Sequence, residues 1–168
     1  MPVDRTTYRA IAGAFPTGVA VVTTVAADGA PRGLTTQSFV GISTEPPLVL
    51  VSIDKTSRTL PDIQGHRAFV INFLKQGHDD VSDHFASKKE EKFTGISWRP
   101  SAIAGGAPVL EDAIVAYAEC VVEQAIEAGD HWLFIARVDG GAVLEGAPLM
   151  YYRRTYAGWP LERDAPAL

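Results

Sequence analysis

The spacing of apolar and polar positions changes character several times along the chain. In "DRTTYRAIAGAF" the apolar residues Tyr8, Ile11, Ala12 and Phe15 recur at helical spacing, and Asp4 stands where an N-cap is needed. Pro16 and Gly18 close that segment. The next stretch is rich in β-branched residues, with Val19 and the run Val21 to Val25, and predicts a strand. "ADGAP", with Asp28-Gly29 at its centre, predicts a hairpin turn. A second strand begins near Pro31, and a third covers roughly Ser38 to Ser43. "PPLVLVSID" is an almost unbroken apolar run opened by prolines, and predicts another strand.

"KTSRTLPDIQGH" predicts a short helix capped by Thr56 or Ser57, with Pro61 distorting or ending it. "RAFVINFL" alternates as a strand does. "DDVSDHFASKKEEKF" is polar and helical, with Val81 and Phe85 one turn apart. "TGISWRPSAIAGGAPVLED" reads as loop. The Ala and Glu content of "AIVAYAECVVEQAIEA" favours helix. However, "EAGD" after it is turn chemistry and "HWLFIARV" is a strand, so a hairpin is the better expectation. "GAVLEG" and "APLMYYRRTYAGW" add one more strand and an aromatic end, and "ERDAPAL" is expected to fray. With neither repeats nor a linker, residues 1–168 read as one domain. Many short strands and few helices predict a mainly β fold, a barrel with helical crossovers whose closure removes exposed edges.

Composition narrows the classes. The 168 residues are 46% apolar and 21% charged, with a formal net charge of -5. Binding a nucleic-acid backbone needs a basic face, so nucleic acid is not an expected partner. One cysteine, Cys120, permits no intrachain disulfide. The first residues lack an apolar signal core, and no apolar run approaches the roughly 18 residues of a membrane span. The expectation is a soluble, cytoplasmic protein that does not bind membranes.

The commonest nucleotide and metal motifs are absent: no G-x-G-x-x-G, no P-loop, no H-E-x-x-H and no C-x-x-C. Three clusters carry candidate chemistry, each with a second reading. Thr35, Thr36, Gln37, Ser38, Ser43 and Ser52 gather at strand ends. They could line a polar heterocycle, or form a solvated strand face. Lys55, Thr56, Ser57 and Arg58 stand at a helix start, as an anion site or as a capped surface helix. Phe85, Ser87, Lys92 and Phe93 could offer a phosphate contact and ring stacking, or belong to a charged surface helix with core phenylalanines. His78 and His84 are badly spaced for one metal-binding helix face, and their acidic neighbours suit helix capping, so no metal is expected. Cys120 reads as a buried small hydrophobe. "EAGDHWLFIARV" places an imidazole, His131, at the mouth of a strand.

The order and spacing of "TGVAVVTT", "GLTTQSFVGISTEPPLVLVSID", "FVINFL", "HFASKKEEKF", "AECVV" followed by "GDH", and "PLMYY" resemble the flavin reductase-like, split β-barrel FMN-binding family. The resemblance runs from "FPTGVAVVTT" to "APLMYYRRTY". It implies a homodimer of six-stranded, Greek-key-like split barrels with peripheral helices, and flavin near the dimer interface. It implies an NAD(P)H:flavin oxidoreductase that reduces FMN or FAD with NADH, or NADPH, and supplies reduced flavin to a separate flavin-dependent monooxygenase. By the same resemblance, Thr35, Thr36, Gln37 and Ser38 edge the isoalloxazine, with Ser52 and Ile53 under the ring and ribityl chain. Lys55, Ser57, Arg58, and Lys92 near Phe93, approach the phosphate. His131 sits beside the nicotinamide, and Tyr151, Tyr152 and Arg154 line the nicotinamide pocket or meet its phosphates. One departure is Ala136, where the family often has glycine, and its methyl is expected to crowd a ring or backbone. Two other readings stay open: a carrier that holds flavin tightly and takes electrons from a protein, and a non-catalytic barrel for haem or another small ligand.

Overall fold

The structure, a computed structural model, describes residues 1–159, and "ERDAPAL" lies outside the described residues. It opens with α1 (Arg5–Gly13), capped as expected: Asp4 accepts a 2.8 Å hydrogen bond from the Thr7 amide. No residue of α1 is buried, and Tyr8, Ile11 and Phe15 are 63%, 62% and 74% exposed. Among the described residues nothing covers this apolar stripe.

Strands follow: β1 (Thr17–Gly18), β2 (Ala20–Val25), β3 (Pro31–Thr36), β4 (Val40–Thr44) and β5 (Pro47–Asp54). After them come α2 (Leu60–His66), β6 (Ala68–Leu74) and α3 (Asp79–Ala86). The chain ends in β7 (Trp98–Pro100), β8 (Pro108–Leu110), β9 (Ile114–Ala128), β10 (His131–Val143), β11 (Leu149–Tyr152) and β12 (Thr155–Gly158). Seven strands form one antiparallel sheet in the order β3-β2-β6-β9-β10-β5-β4. A small sheet joins β1, β11 and β12, and β7 pairs with β8.

The fold is therefore mainly β, as expected, but the backbone ladder is seven-stranded and open, where six strands in a closed barrel were expected. Its two ends are β3 and β4. The chain leaves the ladder after Thr36, and a side chain spans the gap. Ser38 Oγ accepts from the Ser52 amide at 2.8 Å and donates to the Ser52 carbonyl at 2.9 Å. The hydroxyl thus carries the β4–β5 register one pair further, in the segment that joins β3 to β4.

Both faces of the central strands are buried, which is why they read as continuous apolar runs. Val21, Val70, Leu74, Phe85 and Leu110 pack in one cluster; Val22, Val51, Ile53, Phe69, Ile71 and Phe134 pack in the other. Asn72, on the same face of β6 as Val70 and Leu74, is fully buried and satisfied. Its Nδ2 donates to Val21 O and Thr23 Oγ1, and its Oδ1 accepts from the Leu110 amide at 2.8 Å.

Several local expectations are corrected. Pro61 opens α2 rather than ending it, because a proline in the first helical turn gives up an N–H that has no partner anyway. The N-cap is Thr59, not Thr56 or Ser57. Helix α3 stops at Ser87, so "SKKEEKF" is not helical. The ambiguous "AIVAYAECVVEQAIEA" is strand β9, paired with β10 along almost its full length. Register shifts interrupt that pairing between Ile135 and Ala136 and again between Val138 and Gly140. Ala136 itself is fully buried in the core cluster with Val51 and Phe134.

Candidate active site

A groove of about 1350 Å³ lies among the ends of β3 and β5, helix α3 with the loop after it, and the β11–β12 hairpin. Thr35, Thr36, Gln37, Ser38, Ser52, Ile53, Ser57, Arg58, Phe85, Ser87, Lys92, His131 and Tyr151 all line it. Residues far apart in sequence are thus brought to one cleft.

At the strand-end corner, most hydroxyls are already engaged. Thr36 Oγ1 and Ser38 Oγ are 2.7 Å apart, Ser38 is clasped to Ser52 as described, and Thr35 Oγ1 donates to the Ser82 carbonyl. These side chains brace the wall of the groove. The polar groups of this corner not tied up in those bonds are Gln37 and the Ser52 hydroxyl. Ile53 also borders the groove, but its side chain is almost fully buried in the core with Val51 and Phe134. A wall of this kind suits a flat, partly polar ring.

The anion end is built on the turn after β5. Asp54 Oδ1 accepts from the Thr56 amide and hydroxyl, both at 2.7 Å, which fixes the turn that presents Ser57 and Arg58. Those two bonds hold the Asp54 carboxyl below its ordinary range. Arg58 donates to the Lys88 carbonyl at 3.0 Å. Lys92 is held differently: its Nζ donates to the carbonyls of Phe85 at 2.6 Å and Gly33 at 3.2 Å. Burial, and then the charge of Arg58, lower its pKa.

His131 opens β10 directly opposite Asp54 on β5, so the sheet register sets the imidazole over the groove. Its Nδ1 is 2.7 Å from Asp130 Oδ1. At the other end, Tyr156 donates to Asp83 Oδ1 at 2.7 Å, lies 2.9 Å from Ser82 Oγ, and stacks edge-on with Tyr151. Thr17, paired with Tyr151, also lines the groove, and its buried hydroxyl has no hydrogen-bond partner among the described residues.

Four expected site residues do not line this groove. Lys55 turns outward to pair with Glu127. Phe93 packs edge-on against Phe85 and Trp98 beside the core. Tyr152 is exposed with the Arg153 guanidinium over its ring. Arg154 sits in the β11–β12 turn with a positive φ of 65°. Ala136 does not line the groove either, so its methyl does not crowd it. Conversely, Arg32, Asp54, Ser82 and Tyr156 line the groove without having been singled out, as does Asp83, which was read only among the acidic neighbours of His84. The D-x-T spacing of Asp54 and Thr56 was the readable sign of a fixed turn. Nothing local marks Tyr156, which meets helix α3 from 73 residues away.

The family model described as "Flavin reductase like domain" matches residues 12–160. A "Flavin reductase (NADH)" of Kitasatospora aureofaciens is 45% identical over 96% of this chain and 85% of its own length. The "Flavin-dependent monooxygenase, reductase subunit HsaB" of Mycobacterium tuberculosis is 39% identical over 98% of this chain and 88% of its own. Among solved structures, the Streptomyces globisporus C-1027 NADH:FAD oxidoreductase SgcE6, in complex with NAD and FAD fragments, superposes with a TM-score of 0.88. It is 29% identical, over 96% of each chain.

Proposed function

The chain belongs to the flavin reductase-like family, and on that premise we propose that it reduces FMN or FAD with NADH and passes the reduced flavin to a separate monooxygenase. The observation that carries this reading is a single groove holding the Ser38–Ser52 corner, Arg58 and His131 together. The NADH-dependent and monooxygenase-reductase relatives support it, and disfavour a carrier that ignores NADH.

The residues present fit a flavin. Ser52 and the β5 backbone at Ile53 wall the place for a ring, Gln37 offers amide donors and an acceptor at its edge, and Ser57 with Arg58 meets a phosphate. Bound flavin and NADH supply the hydride chemistry, which needs an approach of about 3–3.5 Å. The protein's task is therefore positioning. Asp130, an acceptor only, accepts a hydrogen bond from the Nδ1–H of His131. In the neutral imidazole this leaves Nε2 as an acceptor. His131 can then receive an N–H from the nicotinamide carboxamide and hold that ring in line.

We extend the same reading to the assembly. The exposed stripe of Tyr8 and Ile11 on α1, continued by Phe15 just after it, supports a homodimer. The Ser38–Ser52 clasp between the ladder's free end and β5 supports a split barrel. Two core clusters sharing one sheet support a single domain over 1–168. Among the described residues no helix is long and apolar enough to cross a membrane. Dependence on NADH favours a cytoplasmic site of action.

Steady-state oxidation of NADH with added FMN, FAD and riboflavin tests the central reading. Turnover should require added flavin. No turnover with any flavin, in air or anaerobically, overturns it.

A further inference from the structure

Of the cations that line the groove, Lys92 and Arg58 are held in opposite ways. Lys92 spends two of its three N–H donors on backbone carbonyls, Phe85 at the end of α3 and Gly33 on β3. It is a fastener that ties the end of α3 to β3, where the Gly33 carbonyl also accepts from the Thr59 hydroxyl at 3.3 Å. Arg58 is loosely held: its side chain is 64% exposed, with one bond to the Lys88 carbonyl. Its remaining partner is the Glu90 carboxylate, 3.7 Å away and 89% exposed. Glu90 lines the same groove; its backbone carbonyl accepts from the Lys92 amide at 3.1 Å, while its carboxylate makes no hydrogen bond among the described residues and is drawn only to Arg58.

A carboxylate and a phosphate monoester offer a guanidinium the same thing, paired anionic oxygens. Resting on the reading that the flavin phosphate goes to Arg58, we propose that Glu90 is an internal competitor for that guanidinium. It occupies Arg58 when the groove is free of ligand and is displaced by the phosphate. It thereby weakens phosphate-bearing flavins selectively, and speeds their release. An enzyme that hands reduced flavin to another protein gains from that. The effect is modest because an exposed ion pair is weak. Once displaced, Glu90 still stands near a phosphate of about two negative charges, and repels it.

The test is a double-mutant cycle read as dissociation constants for FMN and riboflavin, by flavin fluorescence at pH 7.5 and low salt. Glu90→Gln should tighten FMN by roughly two- to fivefold and leave riboflavin unchanged. The gain should disappear in the Arg58→Ala background and shrink as salt is raised. Both side chains are exposed, so the variants should fold. Three results overturn the proposal: no change in FMN affinity, an equal change for riboflavin, or a gain that persists fully without Arg58. A wild-type protein that reduces flavins but gives any of these loses only the role of Glu90. A wild-type protein that turns over no flavin loses the reading beneath it as well.

Discussion

His131 Nδ1 and Asp130 Oδ1 are 2.7 Å apart, a bond between neighbours in one turn. Bonding to His131, and then its charge, hold the Asp130 carboxyl below its ordinary range. The turn is itself anchored, because the Lys55 amide donates to the Asp130 carbonyl at 3.0 Å. One short segment thus fixes both the tautomer and the place of the imidazole.

Replacing His131 with Ala should raise the KM for NADH roughly tenfold and that for flavin much less. Asp130→Asn should do the same more weakly, about threefold, since the imidazole remains but its tautomer is no longer dictated. Steady-state kinetics with each substrate varied in turn checks both. Equal changes in the two KM values would remove His131 from the dinucleotide site.

Arg58→Ala should weaken FMN by roughly five- to tenfold while riboflavin binding stays within about twofold, because only FMN carries the phosphate. Fluorescence titration of each flavin decides it. The same loss for both would take Arg58 out of the phosphate site.

Ser38→Ala removes the hydroxyl that serves both backbone groups of Ser52. Leaving that amide and carbonyl without partners should cost about 1–2 kcal/mol of unfolding free energy. Flavin KM should rise in parallel, since the same corner walls the groove. Denaturant unfolding and kinetics on one preparation measure both. A variant of unchanged stability would show that Ser38 is not the closure.

Burial, and then the nearby Asp139 and Glu119, push the Cys120 thiol up from 9.0 to about 12. At pH 8 a thiol reagent should leave the native protein untouched and modify one thiol per chain in denaturant. The folded thiol keeps its proton to higher pH than the unfolded one. Its contribution to stability is thus complete below pH 9 and lost as pH climbs toward 12. Rapid native-state modification at pH 8 would contradict this burial.

What the sequence disclosed was local. The Asp28-Gly29 turn, the Asp4 cap and the "PPLVLVSID" strand rest on residues within a few positions of one another, and all appear. Pro61 was misread because the same residue type marks a helix start or stop, and only the chain on either side decides. In the groove, residue type showed what each side chain could do, but not which partner would claim it first. The hydroxyls of Thr35 and Ser38 are taken by the Ser82 and Ser52 backbones, and Lys55 by Glu127. Tyr156 and Asp83 meet only because the β11–β12 hairpin folds back onto α3. The opening of the ladder at β3 was hidden for a related reason. Strand propensity counts strands, while closure depends on where the chain departs from its neighbour.

The antiparallel match of Leu133 with Ser52 and His131 with Asp54 has an evolutionary corollary. Side chains alternate between sheet faces, so one amino acid inserted between His131 and Phe134 would swing the imidazole to the opposite side. Beyond Ile135 the pairing with β9 already tolerates two dislocations. Length variation in this hairpin should therefore collect toward its Val138 end, and the four positions from His131 to Phe134 should keep their count wherever the chemistry is kept.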